Sequence, residues 1–298
     1  MADRSHAECV VQEMAPMIDP PPLRRALAGE MVGTYLLVLF GTGSVAAAVL
    51  TKAQLGLWQV AVVWGCGVTL AIYVSASLSG AHLNPAVSLA FALLRRNEFP
   101  LGRLLPYMIA QLLGALIAGA TVATIFWPFL VRFEEANGLI RGAPGSELAA
   151  MIFGQYFPNP AMFGTDAAAR ALVSPVRAAG VEAFGTAVLV FVIFALSARR
   201  NTAAPASTLV PFCIGFTVAV LISLFAPITQ AGWNPARDFG PRLIAFWLGW
   251  GAMAIPGPEG GFWVYIVGPR IGGPIGGLVW QALGLEGRTA GGPLETDK

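Results

Sequence analysis

Asn84-Pro85-Ala86, in SGAHLNPAVSLA, and Asn234-Pro235-Ala236, in QAGWNPARDFGPRL, place one tripeptide at two positions 150 residues apart. Asparagine is a favoured helix N-cap and proline is pre-set for the first helical turn, so each triplet starts a helix. Each follows an apolar span and opens a stretch too short to cross a bilayer. Two half-helices begun inside a membrane are the mark of a pore built at the midplane. Set end to end, their N-termini bring roughly half a positive charge each to one point, and that point repels cations. Each Asn can cap its own helix and still offer an amide N–H to a passing oxygen. A water or alcohol accepting from Asn84 and Asn234 together interrupts proton hopping along a file of water.

Arg237 lies about one helical turn beyond Asn234. A guanidinium at membrane depth is costly, so it is expected to face a wet cavity and to serve function. Its five donors suit small solutes that carry hydroxyl or amide oxygens. Asp238 is adjacent in sequence and points elsewhere on a helix, which leaves it to pin a loop from behind. Glu30 and Glu182 are carboxylates within apolar spans. They could carry protons, or accept hydrogen bonds from loop backbone beside the half-helices; irregular backbone at that depth needs such partners, which favours the second reading. His82 is read the same way, as a loop-fixing hydrogen bonder rather than a pH gate. A third triplet, Asn159-Pro160-Ala161, sits in a polar connection without a repeat counterpart and is expected to be a turn in an external loop. No nucleophile–base pair, phosphate loop or metal-ligand cluster is apparent, so no enzyme, cofactor or metal site is expected.

The elements that must position these residues are membrane helices. Hydrophobic residues make up 56% of the 298 and charged residues only 11%, against about a quarter charged in soluble domains. Six apolar spans are expected, at roughly 26–50, 57–75, 104–126, 178–198, 207–226 and 262–284, each able to cross about 30 Å of hydrocarbon. Glu30-Met-Val-Gly33-Thr34 recurs as Glu182-Ala-Phe-Gly185-Thr186, and the glycines of span three recur in span six. Three spans per copy is an odd number, so the second copy must insert upside down. The expected fold is therefore all-α: six transmembrane helices and two half-helices in an inverted repeat. The repeats fall at about 25–127 and 178–285, with an external loop at 128–177 and cytoplasmic tails at 1–24 (disordered) and 286–298. Met1 to Pro22 is polar and proline-rich, without the apolar stretch of a signal peptide. Arg24, Arg25, Arg95, Arg96, Arg103, Arg199, Arg200, Arg288 and Lys298 would share one side after six crossings, which the positive-inside rule makes cytoplasmic. The net charge of +2 gives no reason to expect nucleic acid, and Cys9, Cys66 and Cys213 have neither metal nor disulfide spacing.

Together these residues resemble the major intrinsic protein family, the aquaporins and glycerol facilitators, over nearly all of 25–284. In such pores half-helix dipoles and an arginine are a recognised barrier to cations. The resemblance implies the aquaporin fold and a homotetramer in a plasma (inner) membrane, with one pore per protomer. Asp238 followed by Arg242 marks the aquaglyceroporin branch, and Gln155-Tyr-Phe-Pro-Asn-Pro160 is similar to the external loop of glycerol facilitators. Counting from the triplets, the implied selectivity filter is Trp64, Ile222, Ala231 and Arg237. That set departs from glycerol facilitators at Ile222 and Ala231 and is similar to nodulin-like intrinsic proteins. The implied carbonyl ladder is Gly80, Ala81 and His82 with Gln230, Ala231 and Gly232. Tyr265 stands where glycerol facilitators have Pro, and Trp233 either packs into the protein or narrows the pore. The expected function is a passive channel for glycerol and similar polyols, urea and water. The alternatives are a channel for arsenite or boric acid, a proton-coupled carrier, or a closed junction protein.

Overall fold

The computed structural model describes residues 21–198 and 201–284, all helix and loop with no strand among them. Numbering helices of ten residues or more, α1 is Leu23–Thr51, α2 Leu57–Ser79, α3 Pro85–Leu94 and α4 Leu104–Ala136. The second set is α5 Pro175–Ser197, α6 Val210–Thr229, α7 Pro235–Ala245 and α8 Val264–Ala282. Both half-helices, α3 and α7, begin at the proline of an Asn-Pro-Ala triplet. The expected tail at 286–298 and residues 1–20 of the expected tail at 1–24, together with Cys9, Arg199, Arg200, Arg288 and Lys298, lie outside the described residues; Leu23 and Arg24, placed in that tail, open α1.

The structure corrects the end of the third span and the character of the connection after it. Helix α4 continues to Ala136, ten residues past the expected end, with Pro128 inside it. A proline removes one ladder bond, but the apolar run on both sides of it keeps the helix in one line of packing. The following connection is therefore shorter, and it is not the polar loop its composition suggests. It folds inward as three one-turn helices and buries Ile152, Phe153 and Tyr156 against Val122, Trp250 and Ala254.

Five of the six long helices are apolar enough to cross a membrane on hydropathy alone; α8 is not. Its 19 residues include Arg270, two prolines and five glycines, because close packing dominates there. A Cβ on Gly272 would stand 1.9 Å from the Ala183 carbonyl oxygen, and one on Gly114 would stand 2.2 Å from that of Met31. Met31 and Ala183 each follow a buried glutamate by one residue, so the two crossings, α1–α4 and α5–α8, are the same crossing made twice. Helices α2 and α6 meet at Gly65 and Gly215, each of whose Cβ positions falls on the other's carbonyl oxygen at 2.6 and 2.2 Å. Each half-helix then packs on the third helix of the opposite repeat, α3 on α8 and α7 on α4. Neither half can complete its own bundle.

Glycine serves different ends along one bundle. Gly272→Ala should lower the thermal unfolding temperature of detergent-solubilised protein or abolish its folded yield. Gly180→Ala, where an added Cβ meets nothing within 4 Å, should leave the temperature equal or slightly higher, since Ala favours a helix by about 1 kcal/mol over Gly.

Candidate functional site

The two Asn-Pro-Ala segments meet tip to tip. Asn84 Oδ1 accepts from Ala86 N at 2.8 Å, and Asn234 Oδ1 accepts from Ala236 N and Arg237 N at 3.1 and 3.2 Å, so each caps its own helix. Each amide also donates across the junction: Asn84 Nδ2 to the Trp233 carbonyl at 2.9 Å, and Asn234 Nδ2 to the Leu83 carbonyl at 2.8 Å. An Asn amide has two N–H donors, so one remains on each. The third triplet uses the same chemistry on a smaller scale. Asn159 caps Pro160–Phe163, a single helical turn rather than a plain turn, and donates from Nδ2 to the Ala226 carbonyl at the end of α6.

The loops entering the half-helices are irregular, the second buried and the first open at Gly80, and two carboxylates hold them. Glu30 accepts from the amides of His82 and Leu83 at 2.9 and 2.7 Å; Glu182 accepts from those of Gly232 and Trp233 at 3.0 and 2.7 Å. The backbone is left-handed at Gly80, Ala81 and Leu83, and again at Gln230, Ala231 and Trp233. These are matching positions of the two repeats. At each loop entry a hydroxyl accepts the next amide but one, Ser79 Oγ from Ala81 N and Thr229 Oγ1 from Ala231 N. Among the described residues nothing donates to the carbonyls of Gly80, Ala81, His82, Gln230, Ala231 or Gly232.

Sequence reasoning missed a second layer behind these loops. The hydroxyls of Tyr107 and Tyr265 donate to the carbonyls of Ser79 and Thr229, at 2.9 and 3.1 Å. The two tyrosines share the 158-residue offset of Gly114 and Gly272, which was the available signal. Leu83 and Trp233 also correspond: each packs on the glycine three residues after the loop-holding glutamate, Gly33 or Gly185. Trp233 thus turns its indole into the protein, edge-on to Phe225. The repeats differ at the next position out. His82 is packed among Phe91, Phe99 and Tyr107 with Nδ1 3.2 Å from Ser88 Oγ, and Gln111 bonds both Ser88 and Glu30. In the second repeat Asp238 replaces Ser88 and bonds outward instead. It accepts from Gln155 N and pairs with Arg242 at 2.8 Å, while Arg242 also donates to the carbonyls of Ala254 and Gln155. The 137–174 connection is clamped to α7 in this way.

A cavity of about 1710 Å³ runs from Arg25, Arg96 and Glu98 past Gly80, Ala81 and His82 to Asn84 and Asn234, with Trp64 and Arg237 also on its wall. The Arg237 guanidinium lies 4.3 Å from the Trp64 ring centroid, in cation–π range, and has no hydrogen bond to a described residue. Ile222 and Ala231 are buried in the same cluster as Trp64 but, like Gln230, are not on that wall. Among the described residues no group of histidine, cysteine or acidic side chains could hold a metal.

Residues 18–280 match the description of the major intrinsic protein family. The chain belongs to that family. Family members similar to it include the glycerol uptake facilitator protein of Pseudomonas aeruginosa, 41% identical over 266 residues, 88% of this chain and 90% of the relative. The glycerol uptake facilitator protein of Escherichia coli is 36% identical over 263 residues, 88% of each chain, and the propanediol uptake facilitator of Salmonella typhimurium is 38% identical over 262, covering 87% and 93%. Among solved structures, the aquaglyceroporin from Plasmodium falciparum superposes with a TM-score of 0.73 at 25% identity, covering 87% of this chain and 96% of that one. The family members are channels rather than enzymes, and the chain is a multi-pass membrane protein of their fold.

The clamp behind α7 gives a stability prediction. Arg242→Met leaves Asp238 buried without its cation, a change that costs about 3–5 kcal/mol. The thermal unfolding temperature should fall sharply. The double variant Arg242→Met with Asp238→Leu should recover part of the loss, and a double variant no better than the single would contradict the pairing.

Proposed function

We propose that this chain is a passive channel for glycerol and similar small polyols, urea and water, and that ions and protons are excluded. The observation that carries the reading is the row of loop carbonyls to which no described residue donates, at Gly80 to His82 and Gln230 to Gly232, of which Gly80, Ala81, His82 and Gly232 are on the cavity wall. Backbone acceptors kept from both partners and water are costly, and irregular backbone at membrane depth is tolerated where it lines a wet cavity. A file of hydroxyls moving past such a row would exchange one acceptor for the next without leaving hydrogen bonds unmade. Trp64 offers an apolar wall for the carbon side of a polyol, and Arg237 offers donors to its oxygens. Ala231 leaves room that a ring would take, and Ile222 refills part of it. The remaining N–H of Asn84 and of Asn234 orients each passing oxygen. The names of the relatives, uptake facilitators for glycerol and propanediol, support the same class of solute.

Residues 25–285 form the channel unit in this reading, working as a homotetramer in the cell membrane with both termini cytoplasmic. The arginines at 24, 25, 95, 96 and 103 support that orientation. Glu30 and Glu182 have a structural task, holding loop amides, and this weighs against a proton-coupled carrier.

Stopped-flow light scattering on proteoliposomes tests the reading. Wild type should admit glycerol quickly, without saturation and without dependence on a pH gradient, and Ala231→Phe should slow it several-fold. Uptake that saturates, or that a pH gradient drives and Glu182→Gln abolishes, would establish a carrier. Fast water flux with glycerol entry no faster than in empty liposomes would remove polyols as substrates.

A further inference from the structure

Arg270 lies within α8, is exposed, and has no hydrogen bond or ion pair to any described residue. Its depth can be read from its neighbour. Gly273, three residues on, packs against the carbonyl of Ala86, at the level where α3 begins. Arg270 is therefore about 4.5 Å of helix rise from that level, on the Val264 side. Hydrocarbon extends roughly 15 Å either way from a bilayer centre. Val267, Ile271 and Ile275, exposed around it, present an apolar surface. A guanidinium left in such surroundings is expensive and finds an anion or water.

Two geometric facts decide which anion. Side chains on a helix lean toward its N-terminus, so Arg270 leans toward Val264 and the nearer headgroups, and its long stem can snorkel along the apolar face. The carboxylates at comparable depth, Glu30, Glu182 and Asp238, are buried and already bonded, so a second copy of the chain could not present one of them to Arg270. We propose that Arg270 is a phospholipid site: its guanidinium holds the phosphodiester of a lipid from the leaflet on the Val264 side, whose acyl chains lie along Val267 and Ile271. A guanidinium fork matches phosphate oxygens in pairs, which favours a phosphate over a point contact with water.

The test is native mass spectrometry of the full chain, wild type against Arg270→Leu, Arg270→Gln and Arg270→Lys. Phosphatidylglycerol, dioleoylglycerol or inorganic phosphate is added to each, and glycerol flux in proteoliposomes checks that the variants are folded. Wild type and Arg270→Lys should retain at least one more phosphatidylglycerol per protomer than Arg270→Leu or Arg270→Gln. Dioleoylglycerol, lacking the phosphate, should not distinguish them, and inorganic phosphate should not displace the lipid. Equal phosphatidylglycerol retention in all four proteins would overturn the site. So would displacement by inorganic phosphate, or a change in oligomer mass with lipid count unchanged, which would assign Arg270 to a contact between copies.

Discussion

Everything in this bundle converges on the reciprocal clasp between Asn84 and Asn234. Each side chain caps one half-helix and donates to the loop that enters the other. The two half-helices point positive ends at each other, an arrangement that electrostatics opposes. The crossed bonds, 2.9 and 2.8 Å long, run from each Asn side-chain amide to a backbone carbonyl of the opposite loop and hold the two ends together. The requirement propagates outward. Loops that present their carbonyls at Leu83 and Trp233 must leave the helical path just before, and the left-handed residues at 81 and 231 accomplish this. Buried amides exposed by that departure need acceptors, and Glu30 and Glu182 supply them. Carboxylates so deep in a membrane protein need a second task to be tolerated, and orienting a loop by paired hydrogen bonds is such a task.

Much of this was legible in the sequence because duplication makes the spacing redundant. An Asn-Pro-Ala triplet alone is an ordinary helix start, as Asn159 shows by capping a single turn. A pair at matching offsets after apolar spans has far fewer explanations. The same redundancy exposed Glu30 with Glu182. What stayed hidden lacked a local signature. Tyr107 and Tyr265 sit inside apolar helices, and nothing in their flanks says that their hydroxyls meet a carbonyl 28 or 36 residues away. The end of α4 lies past the apolar span because the helix runs on through Pro128 and the mixed stretch after it to Ala136. The 137–174 connection was misjudged for a different reason: its charges are visible one at a time, while the apolar core formed by Ile152, Phe153 and Trp250 exists only after folding.

The departures from symmetry are as informative as the symmetry. Position 88 of the first repeat is Ser and its counterpart is Asp238; position 111 is Gln and its counterpart is Pro269. The first repeat therefore satisfies its glutamate from inside the bundle, through Gln111. The second turns its acid away from the loop toward Arg242, and through it anchors the 137–174 connection. One half is closed on itself and the other is tied to a surface element. Arg237 belongs to the second half, beside that tie, so the cation on the cavity wall is set against the more heavily braced side.

Among the described residues no carboxylate bonds the Arg237 guanidinium. Arg242 and Arg237 are five residues apart on α7, and of the two Arg242 alone bonds a carboxylate among the described residues. If Asp238 pointed inward, Arg237 would be paired and its donors spent. Because adjacent helical residues diverge, Asp238 is held on the outer face by Arg242 and Gln155 N, and Arg237 is left stacked on Trp64 with its donors uncommitted. An unpaired buried cation is tolerable only if water or a passing polar molecule can solvate it. The brace on one side of α7 thus accounts for the open chemistry on the other: the 137–174 connection holds the Asp238 carboxylate away from Arg237.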